Sequence, residues 1–438
     1  MAIQNAREIS GRVLPLAALS VLLLFAILFL SIIRASIFGE VEPEKHIYFE
    51  IVFLLLLAVV GELTVNYLKQ PSVMILMILG MLMSASFLNL GFGFLSSLPL
   101  PFQIPSTPPD ILRMEGIIHV FAQLGAVILL FKVGLHNKIE RIFAMDNLVV
   151  ATAGVILPFA AGYLYAISTG GNFAYSMFLG AALTATSVGV TVAILKEFNM
   201  LEERFAQIII GAAVIDDVLG LLVLSFVINI SAGAASLMPL ITTFVSATVF
   251  LVGSVLAGKY FIAYLDRKEM SPRRFLLALA FMLMYAYLAE FIQLSAIVGA
   301  FIAGVILNQS RHIKELEEKT YGLEMLFMPI FFISLGMLVD VNALATYAFP
   351  IIILTVLAIA TKIIACGAAG LWAKLKAKEA LMVGIGMAPR GEVALIVASI
   401  GLSTKVLSVS EYSIISAMAL LTTFVVPPVL NALIKKKG

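Results

Sequence analysis

Charged side chains are scarce in this sequence. Asp, Glu, Lys and Arg make up 12% of its 438 residues, whereas apolar residues make up 62%, and the mean hydropathy is +1.09. A soluble globular domain carries about twice that share of charge. The composition therefore excludes an ordinary soluble domain and indicates a polytopic membrane protein.

Cysteine and histidine are also rare. Cys366 is the single cysteine, and the four histidines lie far apart in the sequence. One cysteine excludes an intrachain disulfide, a CxxC zinc site and a redox pair, and no histidine occurs in an HExxH-like spacing. We therefore expect no cofactor and no enzyme activity. The formal net charge of +2, with basic residues dispersed among the loops, gives no reason to expect a nucleic-acid partner.

Apolar segments bounded by charges or by Gly and Pro turns account for most of the chain. A helix needs about 20 residues to cross a bilayer, so these segments predict an all-α fold. The fourteen segments are 13–38, 47–68, 71–90, 113–135, 146–168, 173–197, 203–230, 238–265, 273–292, 295–310, 321–340, 347–374, 379–402 and 411–434.

Basic residues indicate the orientation, because cytoplasmic loops of membrane proteins are enriched in Lys and Arg. With the N-terminus in the cytoplasm, 21 of the 28 Lys and Arg residues fall in inside loops or tails and four fall outside. Lys132, Lys362 and Arg390 lie within or near the ends of segments. The distribution predicts two cytoplasmic termini.

Three regions follow from this reading. Residues 1–46 form a tail and an extra transmembrane helix or signal segment, 47–434 form a transmembrane domain, and 435–438 form a basic cytoplasmic tail. The apolar stretch 13–38 exceeds the roughly 7 to 15 residues of a signal-peptide core, which favours a retained helix.

Two adjacent aspartates, Asp216 and Asp217, interrupt the apolar segment 203–230. Intramembrane carboxylates are costly and mark ion or proton pathways. Successive helical residues project about 100° apart, so the pair can share one cavity and face different partners. The alternative is a structural pair that holds two helices together.

Two segments interrupt their own helical pattern. The centre of 173–197 carries hydroxyl and β-branched residues from Thr184 to Gly189, and the centre of 379–402 reads GIGMAPRGE, with Pro389 and Gly391 inside it. Unwound backbone at membrane depth persists only inside protein or beside a water-filled cavity. Paired interruptions in two halves point to a transporter with inverted repeats and a midplane site. Their placement predicts a 13-helix core of two inverted six-helix repeats around the linking helix 238–265.

Lys362 is a third intramembrane charge. It lies about a dozen residues from the basic end at Lys374, too far for its side chain to reach the interface. We therefore expect a buried acidic partner, one of the two aspartates.

Together these segments resemble one family. The motifs are AAVIDDVLGLL, LTATSVGVTVAIL, LLFKVGLHNKIERI, MPIFFISLGMLVD, ATKIIACG and MAPRGEVALIVASIG. Over residues 47–434 they are similar to the NapA-like, electrogenic group of monovalent cation/proton antiporters. The resemblance implies crossed broken helices, a homodimer in the cell (inner or plasma) membrane, contact with membrane lipid, and elevator-type alternating access.

The resemblance also implies roles for single residues. Asp217 matches the cation-binding carboxylate, and Asp216 matches the carboxylate that pairs with a lysine, here Lys362. Thr186 and Ser187 match hydroxyls beside the ion.

Arg390 and Glu392 match a charged pair of the second broken helix. Lys132 and His136 depart from the family, which has an apolar and an acidic residue there more often.

The function expected from the residues and the resemblance together is sodium or lithium exchange against protons. The alternatives are potassium/proton exchange on the same fold, a sodium-coupled solute symporter and a membrane-embedded enzyme. Many potassium relatives replace the first aspartate by Gln or Asn, whereas this chain has Asp216.

Overall fold

A computed structural model of the protein describes residues 43–68, 70–97, 115–137, 144–231, 238–292 and 294–435. Within these ranges the ordered elements are all helices, which confirms the predicted all-α membrane fold. The predicted first helix, 13–38, and the tail at 436–438 lie outside the described residues.

Seventeen helices occur in the described part of the chain. In order they are α1 (Pro43–Leu68), α2 (Ser72–Leu82), α3 (Ala85–Ser97), α4 (Glu115–Leu135), α5 (Met145–Ser168), α6 (Phe173–Thr184), α7 (Val188–Glu197), α8 (Arg204–Ser231), α9 (Met238–Leu265), α10 (Pro272–Phe291), α11 (Ala296–Leu307), α12 (Ile313–Met337), α13 (Val341–Thr346), α14 (Ala348–Trp372), α15 (Ala377–Gly386), α16 (Glu392–Ser403) and α17 (Val409–Lys435).

Nine spans in the described residues are long and apolar enough to cross a membrane, or ten if α2 and α3 form one bent span. In that count α6 and α7 together make one span. The 12-residue helix α11 extends only about 18 Å at about 1.5 Å per residue. The count of thirteen core helices and the inverted repeat therefore stay predictions.

The predicted segment 71–90 is wrong in its detail. Two helices, α2 and α3, meet there at an angle of 55°, and α3 continues to Ser97. Ser84 explains the break, because its side-chain oxygen accepts a hydrogen bond from the Phe87 N–H at 3.3 Å and begins a new helix. Segment 321–340 also differs, because α12 begins at Ile313 in a charged stretch that precedes the apolar one.

The chain divides into two compact units, Met1–Gly125 with Met325–Asn342, and Ala126–Glu324 with Ala343–Gly438. Glycines bring helices close within each unit. In the first, a Cβ on Gly80 or Gly336 would lie 2.0 or 2.1 Å from a carbonyl oxygen of the facing helix. In the second, Gly134 and Gly304 approach in the same way, at 2.2 and 2.1 Å. Small residues at such crossings are how membrane helices pack without a hydrophobic driving force.

Eight helices of the second unit pack on one another and are called the site bundle here. They are α5, α6, α7, α8, α14, α15, α16 and α17. Their shared core includes Phe178 on α6, Leu224 on α8, Val397 on α16 and Met418 on α17. Both predicted interruptions and both aspartates lie in this bundle.

Candidate functional site

The two interrupted segments meet directly. Residues 185–187 separate α6 from α7, and residues 387–391 separate α15 from α16. The Ser187 N–H donates to the Pro389 carbonyl at 2.8 Å, and the Thr191 hydroxyl donates to the Gly386 carbonyl at 2.7 Å. Backbone groups released by one break are thus satisfied by the other, which is what burial without water requires.

Gly391 allows this close approach. A Cβ on Gly391 would lie 2.5 Å from the Ser187 Oγ atom, a distance that real side chains do not tolerate. Any larger residue would push the two breaks apart.

The first break is shorter than predicted. Thr184 is the last residue of α6 and its hydroxyl bonds back to the Ala181 carbonyl at 2.7 Å, so it stays helical. Gly189 lies inside the first turn of α7, which begins at Val188. Pro389 and Gly391 both lie in the second break.

A buried ion pair lies beside the crossing. Lys362 of α14 and Asp216 of α8 have side chains exposed by 0% and 1%, and the Nζ atom lies 3.1 Å from Oδ1 of Asp216. The same Nζ donates to the Thr186 hydroxyl at 2.7 Å. Three separate elements therefore converge on one ammonium group.

One oxygen of this pair is incompletely satisfied. Oδ2 of Asp216 is buried and accepts no hydrogen bond from the described residues. Buried carboxylate oxygens are rarely left in this way unless the site serves an ion, a water or a proton.

Asp217 and Ser187 occupy more open positions. Both side chains belong to half-buried residues, whereas Asp216 and Thr186 are buried. Asp217 follows Asp216 on α8 and so projects about 100° around the helix from it. The site thus has one enclosed carboxylate with a lysine partner and a neighbouring carboxylate closer to solvent.

Arg390 is fully buried in the second break. Its guanidinium donates to the carbonyls of Met387 and Ala388, at 3.3 and 3.2 Å, and to that of Ala358 at 3.2 Å. A positive charge at the C-terminal end of α15 offsets the partial negative charge of its last carbonyls. Glu392 begins α16, but its side chain lies outside the described residues, so its pairing with Arg390 stays a prediction.

Two threonines of α17 that sequence reasoning missed fix the backbone of Arg390. Its N–H donates to the Thr422 hydroxyl at 2.9 Å, and its carbonyl accepts a hydrogen bond from the Thr423 hydroxyl at 2.5 Å. Hydroxyl residues in an apolar segment were the available signal, because a buried hydroxyl needs a partner.

Comparison with known proteins identifies the family. A family model described as "Sodium/hydrogen exchanger, transmembrane" matches residues 51–436. The chain is 36% identical over 330 residues to the high-affinity Na(+)/H(+) antiporter NhaS3 of Synechocystis sp., covering 72% of this chain and 71% of that protein. It is 31% identical over 396 residues to the Na(+)/H(+)-K(+) antiporter GerN of Bacillus cereus, covering 89% and 96%.

A solved structure shares the fold. The sodium proton antiporter MjNhaP1 from Methanocaldococcus jannaschii aligns with a TM-score of 0.62 at 19% identity, over 88% of this chain and 97% of that chain. The predicted family is confirmed by the match along most of the sequence. The chain therefore belongs to the sodium/hydrogen exchanger family of monovalent cation/proton antiporters, and it is a membrane transporter rather than an enzyme.

Proposed function

We propose that the chain exchanges sodium or lithium ions for protons by secondary active transport. The observation that carries the proposal is the buried Lys362–Asp216 ion pair at the crossing of the two broken segments. An ion pair removed from water is costly to build. The pair lies beside a second, more open carboxylate, Asp217. This position favours an ion-exchange site and argues against a pair that only holds two helices together.

Competition for the carboxylates supplies the coupling. A cation and protons cannot occupy the same oxygens together, so binding of one releases the other. The ligands available are the two carboxylates, the hydroxyls of Thr186 and Ser187, and backbone carbonyls released at the breaks. Oxygen ligands suit small hard cations.

Lys362 makes the exchange electrogenic in this proposal. With a cation bound, both aspartates are ionised, and Lys362, displaced from Asp216, loses its proton because an unpaired ammonium inside the membrane is costly. One proton thus leaves Asp217 and the other leaves Lys362. Two protons then replace one monovalent cation, and each cycle moves net charge.

We further propose elevator-type alternating access, with the site bundle as the moving part. The mutual packing of its eight helices supports movement as one body. We place the protein in the cell membrane as a homodimer surrounded by lipid, with both termini in the cytoplasm. The family and the distribution of Lys and Arg support this arrangement.

Potassium/proton exchange is the second candidate. It is favoured by the likeness to GerN, whose name includes potassium as well as sodium. Retention of Asp216 where many potassium relatives have Gln or Asn favours sodium, as the resemblance implies.

Purified protein in proteoliposomes tests the proposal under an imposed pH gradient. Sodium, lithium and potassium are compared at equal concentration. We expect proton movement with sodium and lithium and much less with potassium. Equal activity with potassium would replace the sodium assignment, and no response to any of the three would overturn the antiporter proposal.

A further inference from the structure

Three charged side chains form a cluster outside the candidate site. Lys132 of α4 and Glu324 of α12 have side chains exposed by 4% and 6%, and Lys196 at the end of α7 is exposed by 26%. The Lys132 Nζ atom donates to Oε2 of Glu324 at 2.6 Å, and the Lys196 Nζ atom donates to Oε1. Each carboxylate oxygen thus serves a different ammonium group.

This arrangement is an expensive way to stabilise a fold. One negative and two positive charges leave a net positive charge where little water reaches, and well-packed apolar residues would cost less. The Lys132 Nζ atom also lies 5.0 Å from the centre of the Tyr321 ring, which gives it a further weak partner. His136, the residue after α4, pairs with Glu317 of α12 at 3.2 Å.

The two bonds of Glu324 join it to different helices of the second unit. Lys132 and Glu324 lie on α4 and α12, which pack directly: a Cβ on Gly125 of α4 would lie 2.4 Å from the Phe327 carbonyl of α12. Lys196 lies at the end of α7, which packs against α8 and α17 of the site bundle. The Lys196–Glu324 bond therefore ties the site bundle to α12, whereas the Lys132–Glu324 bond joins α4 to α12.

We propose that the Lys196–Glu324 ion pair is a reversible latch that holds the site bundle in the position seen here. This inference rests on the proposed alternating access. The Lys196–Glu324 ion pair must break whenever the site bundle moves past α12. By the charge distribution it lies on the cytoplasmic side, since Lys196 precedes the inside loop at 198–203.

Lys132 is what makes the latch reversible. Removing one partner of a buried ion pair strands the other charge, and this is strongly unfavourable. When Lys196 leaves, Glu324 keeps the Lys132 ammonium and stays neutralised, while the half-buried Lys196 turns toward water. The third charge thus lowers the cost of opening.

Two single variants test the latch, because they act in opposite directions. Lys196→Met removes the tie and leaves the Lys132–Glu324 pair intact, so we expect turnover to rise about five-fold, within the range of measured coupling effects. Lys132→Met leaves Glu324 dependent on Lys196, so we expect turnover to fall by a similar factor. Lys259→Met, at an exposed position of α9, is the matched control and should leave turnover unchanged.

A measurement that needs no transport separates this proposal from the proposed function. Amide hydrogen exchange is followed at 188–197 and 313–324 in an Asp217→Asn background, with and without Lys196→Met or Lys132→Met. Faster exchange in the first variant and slower exchange in the second support the latch, even if ion exchange fails in every assay. Unchanged amide exchange, or changes of both variants in the same direction, would overturn it.

Discussion

Gly154 of α5 lies against the end of the Lys362 side chain. A Cβ on Gly154 would lie 3.0 Å from the Lys362 Nζ atom and 2.8 Å from the Cys366 Sγ atom. The Lys362 side chain passes α5 through space that is free because Gly154 has no side chain. Gly154 is therefore part of what lets the ammonium reach Asp216 and Thr186.

Gly154→Ala should displace the ammonium and reduce ion exchange about ten-fold. The added methyl group and the Nζ atom compete for one space in a packed interior, where a small excess volume forces side chains to shift. Exchange rates in proteoliposomes are the measurement. Gly253→Ala is the control, because its added Cβ would meet nothing within 4 Å. Equal rates in both variants would show that Gly154 does not position the lysine.

Asp217→Asn should fold and lose exchange, because the amide cannot supply the negative charge that the cation needs. Sodium-dependent proton movement is the measurement. Asp146→Asn, which breaks an exposed ion pair with Arg204, should retain activity because such pairs contribute little. Near-normal exchange by Asp217→Asn would place the site elsewhere.

Lys362→Ala should move the activity profile to higher pH and weaken its dependence on membrane potential. Without the ammonium, Asp216 loses the charge that favours its ionised form. Transport is compared at zero potential and at about −100 mV, which is worth about 2.3 kcal/mol per net charge moved. A wild-type rate indifferent to potential contradicts the two-proton exchange, and an unchanged pH profile of the variant contradicts a functional role for the Asp216–Lys362 pair.

Arg390→Gln should destabilise the folded protein by about 3–5 kcal/mol, the usual effect of breaking a buried charged network. The variant loses the charge and the fork of donors that now serve three backbone carbonyls. Thermal unfolding in detergent measures the loss. Arg273→Gln, at an exposed position, should unfold like the wild type, and the same result for Arg390→Gln would show that the guanidinium is not needed at the crossing.

Reporter fusions test the orientation. Fusions after Lys138, Arg267 and Lys437 should all report a cytoplasmic location, because Lys and Arg accumulate on that side. An external location at any one of them would show that a span has been missed or added.

Local chemistry made much of this molecule predictable. The length of the apolar segments predicted the helices, because the backbone N–H and C=O groups of a segment in lipid must be hydrogen-bonded within that segment. The two breaks were predicted from Pro389, Gly391 and the hydroxyl-rich stretch near Thr186. Asp216 and Lys362 were predicted as site residues because charge inside a membrane is costly. The break between α2 and α3 was not predicted, because one serine in an apolar segment is a weak turn signal.

Tertiary structure alone decided which distant groups meet. Glu324 is 192 residues from Lys132 and 128 residues from Lys196, and no local pattern relates the three. Thr186 shares the Lys362 ammonium with Asp216 because α7 begins where α8 and α14 pass. The sequence determined that costly charges enter the membrane. The distance between two backbones at each helix crossing decided which partner each charge meets. That distance depends on residues such as Gly154, which carry no chemistry of their own.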